Sequence, residues 1–167
     1  TKKFKLYVYM PHVILDDKIK KINFKKIKDN YNIDVFVISH ISQIEAVKDL
    51  DLELIGNFNL NIYNNFSTSK LTDLNIKKCT LSPELEKFEI NDVASRLSTE
   101  SELIVYGKLP VMTNNYCYLG KSNRCYESCD KKCMENNKFY LKDRMDFKFR
   151  FVPDNTSTLT TIYNSKT

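Results

Sequence analysis

Short apolar runs alternate with amphipathic stretches along most of the chain. The runs typical of β-strands are Phe4 to Met10, Asp34 to Ser39, Glu53 to Ile55, Cys79 to Leu81 and Glu102 to Lys108. Between the first two runs, Ile19, Ile22 and Ile27 recur among lysines, which is the pattern of an amphipathic helix over 16–28. This order of strand, helix and strand, repeating about every 20 to 30 residues, predicts βα units that form a parallel sheet.

The number of predicted strands limits the architecture. A complete eight-stranded βα barrel takes about 250 residues, whereas this chain has 167. We therefore predict an α/β fold in which residues 1–113 form a partial, half TIM-like barrel of parallel βα units. Glu102 to Lys108 is predicted to be its clearest buried strand. Alternating aromatic residues beyond the cysteines predict a small antiparallel β appendage, so residues 114–167 make a second domain that includes the cysteine-rich segment.

The charge balance is mildly basic, with 26 basic residues against 21 acidic ones and a net charge of +5. The lysines are densest from Lys18 to Lys28, where their spacing predicts a solvated helix face, with a phosphate-facing patch as the alternative. No stretch reaches the roughly 18 apolar residues of a membrane-spanning helix, and the first residues do not have the pattern of a signal peptide. We therefore expect a cytoplasmic protein with no membrane partner, and a start other than Met suggests a chain cut from a longer one.

The cysteines carry the most specific chemical signal. There are five, an odd number that excludes a complete disulfide framework within the chain. Four of them lie close together, namely Cys117, Cys125, Cys129 and Cys133. Four thiolates match the ligand count of a four-iron iron–sulfur cluster and of a structural zinc site. The spacing departs from the C-x-x-C pairs of most zinc sites and favours the cluster, while zinc, reduced thiols without a metal, and a disulfide-tied loop remain alternatives.

Three other residues are weak catalytic candidates. His12 and His40 each follow a predicted strand, and Glu84 follows the strand at Cys79 to Leu81. In a barrel, the carboxyl ends of the strands face the active site, so all three side chains are candidates for lining a pocket. The alternatives are loop histidines without a role and a glutamate that stabilises the first turn of a helix. A Cys–His nucleophilic pair would require Cys79 or a clustered cysteine near a histidine.

Several sequence strings occur together in a recognisable order. They are LSPEL at Leu81 to Leu85, ELIVYGKLPVM at Glu102 to Met112, YC at Tyr116-Cys117, LKDR at Leu141 to Arg144 and TTIYNSK at Thr160 to Lys166. In this order and spacing, the chain resembles the collagenase-like peptidase family, numbered thirty-two among peptidases of unknown mechanism.

The resemblance implies an incomplete or modified barrel with cysteines just after the last core strand. Some family members are described as collagen-degrading peptidases, and others hydroxylate RNA bases or a quinone precursor and hold a four-iron cluster through four cysteines. Cys117 matches the first family cysteine, Cys125 or Cys129 a central one, and Cys133 the next. Two positions depart from the pattern: 155–160 lacks the final cysteine of many relatives, and Pro110 stands where hydroxylating relatives carry a cysteine.

The leading hypothesis is therefore a fragment of a peptidase with a cysteine-bound cluster. The alternatives are an iron–sulfur-dependent RNA or quinone hydroxylation protein and a non-catalytic, zinc-stabilised binding module. The expected partners are the missing half-barrel of the parent protein, a peptide or RNA substrate, and a second copy that pairs through exposed sheet edges. The isolated fragment is expected to be inactive.

Overall fold

The computed structural model describes residues 4–97, 99–123, 138–154 and 159–166. Contacts between residues divide the chain into two compact units, Thr1–Val105 and Tyr106–Thr167. This division falls upstream of the domain boundary predicted after residue 113. Each unit has its own sheet.

The first unit is built on a five-stranded parallel sheet. Its strands are β1 (Tyr7–Tyr9), β2 (Val35–Ile38), β3 (Glu53–Gly56), β4 (Ile76–Thr80) and β5 (Glu100–Glu102). They lie in sequential order, and each pairs in parallel with the next. The prediction of βα units with a parallel sheet is confirmed.

Helices connect successive strands of this sheet. They are α1 (Asp16–Ile19), α2 (Phe24–Tyr31), α3 (Ser42–Val47), α4 (Asn65–Asp73) and α5 (Lys87–Ser95), with 3₁₀ turns at Lys48–Leu50 and Phe58–Leu60. The single helix predicted over 16–28 is two helices. Asn23 caps the second one by accepting a hydrogen bond from the Lys26 N–H at 2.8 Å, and such a cap fixes where a helix begins.

The core of the first unit lies mainly on one face of the sheet. Side chains alternate along β2, so Phe36 and Ile38 join the main cluster beneath the helices, while Val35 and Val37 form a smaller cluster with Ile55. All four β2 side chains are at most 2 % exposed. Burial of each such side chain stabilises the fold by about 1.5 to 3 kcal/mol, which makes β2 the most buried strand.

The prediction of a buried strand over Glu102 to Lys108 is wrong. Strand β5 ends at Glu102, opposite Thr80 of β4. Leu103, Ile104 and Val105 follow outside the strand, and Val105 is 91 % exposed. An apolar run is buried on both faces only where it lies in the sheet and other elements cover both faces, and Leu103 to Val105 lie beyond Glu102, the last paired residue of β5.

The second unit carries a four-stranded antiparallel sheet in the order β6-β9-β8-β7. Its elements are β6 (Pro110–Asn114), α6 (Tyr118–Asn123), β7 (Phe139–Lys142), β8 (Lys148–Asp154) and β9 (Leu159–Tyr163). Phe151 stacks on Phe139 at 5.5 Å between ring centroids and meets the Tyr118 ring edge-on at 5.7 Å. This aromatic cluster holds α6 against the sheet. In the described ranges of both units, no helix has the length and apolar character needed to cross a bilayer.

Candidate functional site

The carboxyl-terminal edge of the parallel sheet gathers the catalytic candidates of the first unit. Parallel strands all end at the same edge, so the residues after β1, β2 and β4 share it. These are His12, His40 and Glu84 respectively. Enzymes with parallel βα sheets bind ligands at this edge.

A buried hydroxyl ties three of these strand ends together. Ser39, which is 2 % exposed, donates its hydroxyl hydrogen to the carbonyl oxygen of Met10 at 3.0 Å. The Ser39 hydroxyl oxygen in turn accepts a hydrogen bond from the Asn57 side-chain amide at 3.0 Å. Because Met10 follows β1, Ser39 follows β2 and Asn57 follows β3, the three strand ends are held in register.

A buried amide fixes the two loops that carry the histidines. Gln43 is fully buried, and its Oε1 accepts hydrogen bonds from the Ser39 N–H at 2.8 Å and the His40 N–H at 3.1 Å. Its Nε2 donates to the carbonyl of Pro11 at 2.6 Å. A buried polar group is costly unless it is hydrogen-bonded, and these three bonds satisfy Gln43 while bracing the residues beside His12 and His40.

The two histidines differ in environment. His12 is half-buried, and loss of solvent around the ring lowers its pKa below the ordinary value, so its imidazole is neutral at neutral pH and can accept a proton or a hydrogen bond. His40 is exposed, with its Nδ1 2.8 Å from the Ser42 hydroxyl. The Ser42 N–H also donates to this Nδ1 at 3.2 Å.

Glu84 forms the tightest side-chain contact at this edge. The hydroxyl of Tyr63 donates to Glu84 Oε2 at 2.6 Å. The two loops are joined beneath that contact, since the Ser82 N–H donates to the carbonyl of Ile62 at 3.1 Å. A carboxylate held by a phenol at an exposed edge can act as a general base. Tyr63 was not among the sequence candidates, because nothing in the sequence pairs two positions on separate loops.

His40 and Glu84 do not share one hydrogen-bonded cluster among the described residues. Within the part of the chain that the structure describes, no hydrogen bond or ion pair links His40 to Glu84. They follow β2 and β4, and β3 lies between those strands. The edge therefore offers separated polar groups along the strand ends, an arrangement that fits an extended substrate better than a compact catalytic triad.

Cys79 has no place in this site. It lies in β4 and is fully buried in the main core cluster. Burial raises the pKa of its thiol, whereas a nucleophile or metal ligand must be a thiolate. Its nearest polar partner is the Thr99 hydroxyl, 3.6 Å from the sulfur. A Cys–His nucleophilic pair built on Cys79 is therefore excluded.

Of the four predicted metal ligands, the structure places one. Cys117 immediately precedes α6 in the second unit and carries a half-buried free thiol. Its carbonyl accepts a hydrogen bond from the Gly120 N–H at 3.0 Å. Cys125, Cys129 and Cys133 lie outside the described residues. Over the residues that are described, no group of three or more His, Cys, Asp or Glu side chains is arranged to hold a metal ion, so the four-thiol site stays a prediction.

Comparison with known proteins identifies one related family. The family model described as Peptidase family U32 matches residues 1–163. The match therefore spans nearly all of the 167 residues and covers both units. Searches of curated proteins and of solved structures found no match.

Proposed function

The chain belongs to peptidase family U32, and from this membership we propose that it is part of a collagenase-like peptidase, a hydrolase that cleaves peptide bonds. Its site is the carboxyl-terminal edge of the parallel sheet. The observation that carries this proposal is the Tyr63–Glu84 contact of 2.6 Å at that edge, because amide hydrolysis requires a positioned base to deprotonate water.

The proposed reaction assigns the proton transfers to Glu84. As a water oxygen bonds to the scissile carbonyl carbon, the Glu84 carboxylate accepts one of the water protons. The carbon–nitrogen bond then breaks, and Glu84 returns that proton to the departing amine nitrogen. Tyr63 holds the carboxylate in orientation through its hydroxyl. His12, kept neutral by its lowered pKa, accepts a hydrogen bond from a backbone N–H of the peptide.

The finer architecture follows from the same proposal. Five parallel strands in sequential order correspond to roughly half of an eight-stranded barrel. We propose that the rest of the parent protein supplies the other strands and pairs with the free edges of β1 and β5. A second copy of this chain is the competing partner at those edges. Light scattering measures the molar mass of the isolated chain in solution. A dimer would favour the second copy, and a monomer would favour the rest of the parent protein as the partner.

The cysteines are proposed to hold an iron–sulfur cluster. Cys117, Cys125, Cys129 and Cys133 supply the number and kind of donors that a four-iron cluster accepts, and the free, half-buried thiol of Cys117 fits that role. A bound cluster would supply one-electron redox chemistry, which peptide hydrolysis does not use. In a peptidase, these residues would therefore act by crosslinking their segment. Free thiols also support a cytoplasmic location, where cysteines stay reduced.

The function is tested on the parent protein that contains this chain, purified without oxygen. Incubation with gelatin should release fragments, and analysis should find iron and acid-labile sulfide that are lost when Cys117 and Cys133 are replaced by serine. If gelatin stays intact while purified RNA gains the mass of an oxygen atom, hydroxylation replaces the peptidase proposal. If the protein has neither activity and contains stoichiometric zinc, the chain is a binding module.

A further inference from the structure

The lysines of α1, α2 and their connection differ from several other lysines of the first unit. Four lysines elsewhere contact carboxylates: Lys48 reaches Glu45 at 2.6 Å, Lys78 reaches Glu102 at 2.7 Å, Lys5 reaches Glu53 at 3.1 Å and Lys70 reaches Asp73 at 3.4 Å. Each of these pairs offsets the charge of its lysine. An isolated surface pair contributes little to stability, so their use here is mainly to balance charge.

The segment from Lys18 to Lys28 lacks that balance. Among the residues described, no carboxylate lies within ion-pair distance of Lys18, Lys20, Lys25 or Lys26. Lys21 reaches Asp17 only at 4.0 Å, and the Lys28 ammonium donates to the carbonyl of Leu50. The segment therefore presents a surplus of positive charge to solvent.

These lysines border a groove between the α1–α2 connection and the end of α3. One cavity there has a volume of about 520 Å³ and is bordered by Lys20, Lys21 and Lys25, with Asp49 as its acidic residue. An adjoining cavity of about 410 Å³ shares part of this lining and adds Asp16 and Glu45. Glu45 is already paired with Lys48, and the first cavity, bordered by three lysines and one carboxylate, has an excess of positive charge.

The floor of the groove is apolar. The shared lining of the two cavities includes Ile22, Phe24 and Ala46, and Ile19 extends it at one end. An apolar floor beside a lysine rim is suited to a ligand that combines negative charge with an aliphatic side chain. Nucleic acid fits less well, since Phe24 is the one aromatic residue of this lining and is only 9 % exposed, leaving no open ring on which a base can stack.

We propose that this groove binds an acidic peptide segment that carries a large aliphatic side chain. The lysine rim would pair with the carboxylates of the segment, and the floor formed by Ile22, Phe24 and Ala46 would bury the aliphatic group. The groove is made by helices and their connections, separate from the Tyr63–Glu84 contact, so this binding does not depend on the proposed peptidase chemistry.

The test uses a fluorescein-labelled peptide of alternating glutamate and leucine and measures polarisation with the full chain. Binding should weaken as salt is raised. The triple substitution Lys20→Gln, Lys21→Gln and Lys25→Gln should weaken binding by about tenfold, since each exposed charge contributes modestly. The matched control is Lys70→Gln, Lys77→Gln and Lys87→Gln, which removes the same charge elsewhere and should leave affinity unchanged within about twofold.

Two further measurements make the outcome decisive. A peptide with serine in place of leucine should bind more weakly, and bound peptide should protect Lys20 and Lys25 from acetylation in the unaltered chain. An equal loss of peptide affinity in the triple variant and in the control would overturn the proposal. Equal affinity for the serine peptide and the leucine peptide would also overturn it. Tighter binding of oligouridylate through the same lysines would assign the groove to nucleic acid instead.

Discussion

The hydroxyl of Tyr63 lies 2.6 Å from Glu84 Oε2 and joins two loops that are separate in sequence. Tyr63 lies between the Phe58–Leu60 turn and α4, and Glu84 follows β4. The backbone bond from the Ser82 N–H to the Ile62 carbonyl, at 3.1 Å, fixes the same two loops. The carboxylate is therefore held in place while it remains open to solvent, which is what a general base that activates water requires.

Removing the Gln43 amide should loosen the same edge. We expect Gln43→Met, in which Met has a similar volume, to lower the free energy of unfolding by about 2 to 4 kcal/mol. The change leaves the buried Ser39 N–H, the part-buried His40 N–H and the part-buried Pro11 carbonyl without their Gln43 partner. Urea denaturation measures the loss. The control is Ser42→Ala, an exposed position whose change should be within about 0.5 kcal/mol. Equal stability of the two variants would mean that the Gln43 bonds contribute little.

Acid should destabilise the first unit partly through His12. Its folded-state pKa lies below the ordinary 6.5 because burial disfavours the charged ring, so the unfolded chain binds a proton more readily. The contribution of His12 to the free energy of unfolding is complete above pH 6.5 and is lost as the pH falls through the lowered folded-state pKa. NMR titration of the ring should give a midpoint below 6.5, and His12→Asn should flatten the acid limb of stability. A midpoint at or above the ordinary value would contradict this account.

The parallel sheet could be predicted from the sequence because its signal is local. Four apolar runs of the first unit, such as Asp34 to Ser39, each overlap a strand, and a cap such as Asn23 is recognisable once its helix is known. The failure at Leu103 to Val105 has a physical cause. Apolar residues favour a covered segment, but whether other elements cover it depends on contacts between distant residues, which no local pattern contains.

The candidate site was only partly predictable for the same reason. His12, His40 and Glu84 were found because each follows a strand, and strand ends form the edge of a parallel sheet. Tyr63 and Gln43 could not be found, since their roles depend on contacts with distant loops. The ligand set Cys117, Cys125, Cys129 and Cys133 stays a prediction from spacing and family resemblance.

A side chain at Gly56 should strain the packing between β3 and β4. A Cβ placed there would lie 3.3 Å from Cys79 Cβ and 3.0 Å from Leu60 Cδ1, and the first of these atoms is held by the strand. We expect Gly56→Ala to destabilise the chain by about 1 to 2 kcal/mol, as overpacked core sites do. Chemical denaturation measures this loss of stability, and the control is Lys77→Ala, at an exposed position of β4. Unchanged or raised stability of Gly56→Ala would show that the neighbours move aside at no cost.

The Cys79 thiol should be protected from reagents in the folded chain. It is fully buried, and burial raises its pKa above the ordinary 9.0. After any bound metal is removed with a chelator, iodoacetamide followed by peptide mass mapping should therefore modify Cys117 first and Cys79 only after denaturation. The folded state favours the protonated thiol. The contribution of Cys79 to the free energy of unfolding is therefore present below pH 9.0 and is lost as the pH rises through the folded-state pKa. Alkylation of Cys79 as fast as Cys117 would show that the core opens readily.

The central claim is that Glu84 is the base of a peptidase, and kcat/KM on a gelatin-derived fluorogenic peptide tests it most directly. In the parent protein, Glu84→Gln should lower kcat/KM by about 10² to 10⁴, and Tyr63→Phe by about tenfold, because it keeps the carboxylate but loses its orienting bond. Glu100→Gln, at an exposed glutamate that begins β5, should leave the rate unchanged. If Glu84→Gln cleaves the peptide as fast as the unaltered protein, the assignment of the catalytic base to Glu84 is wrong.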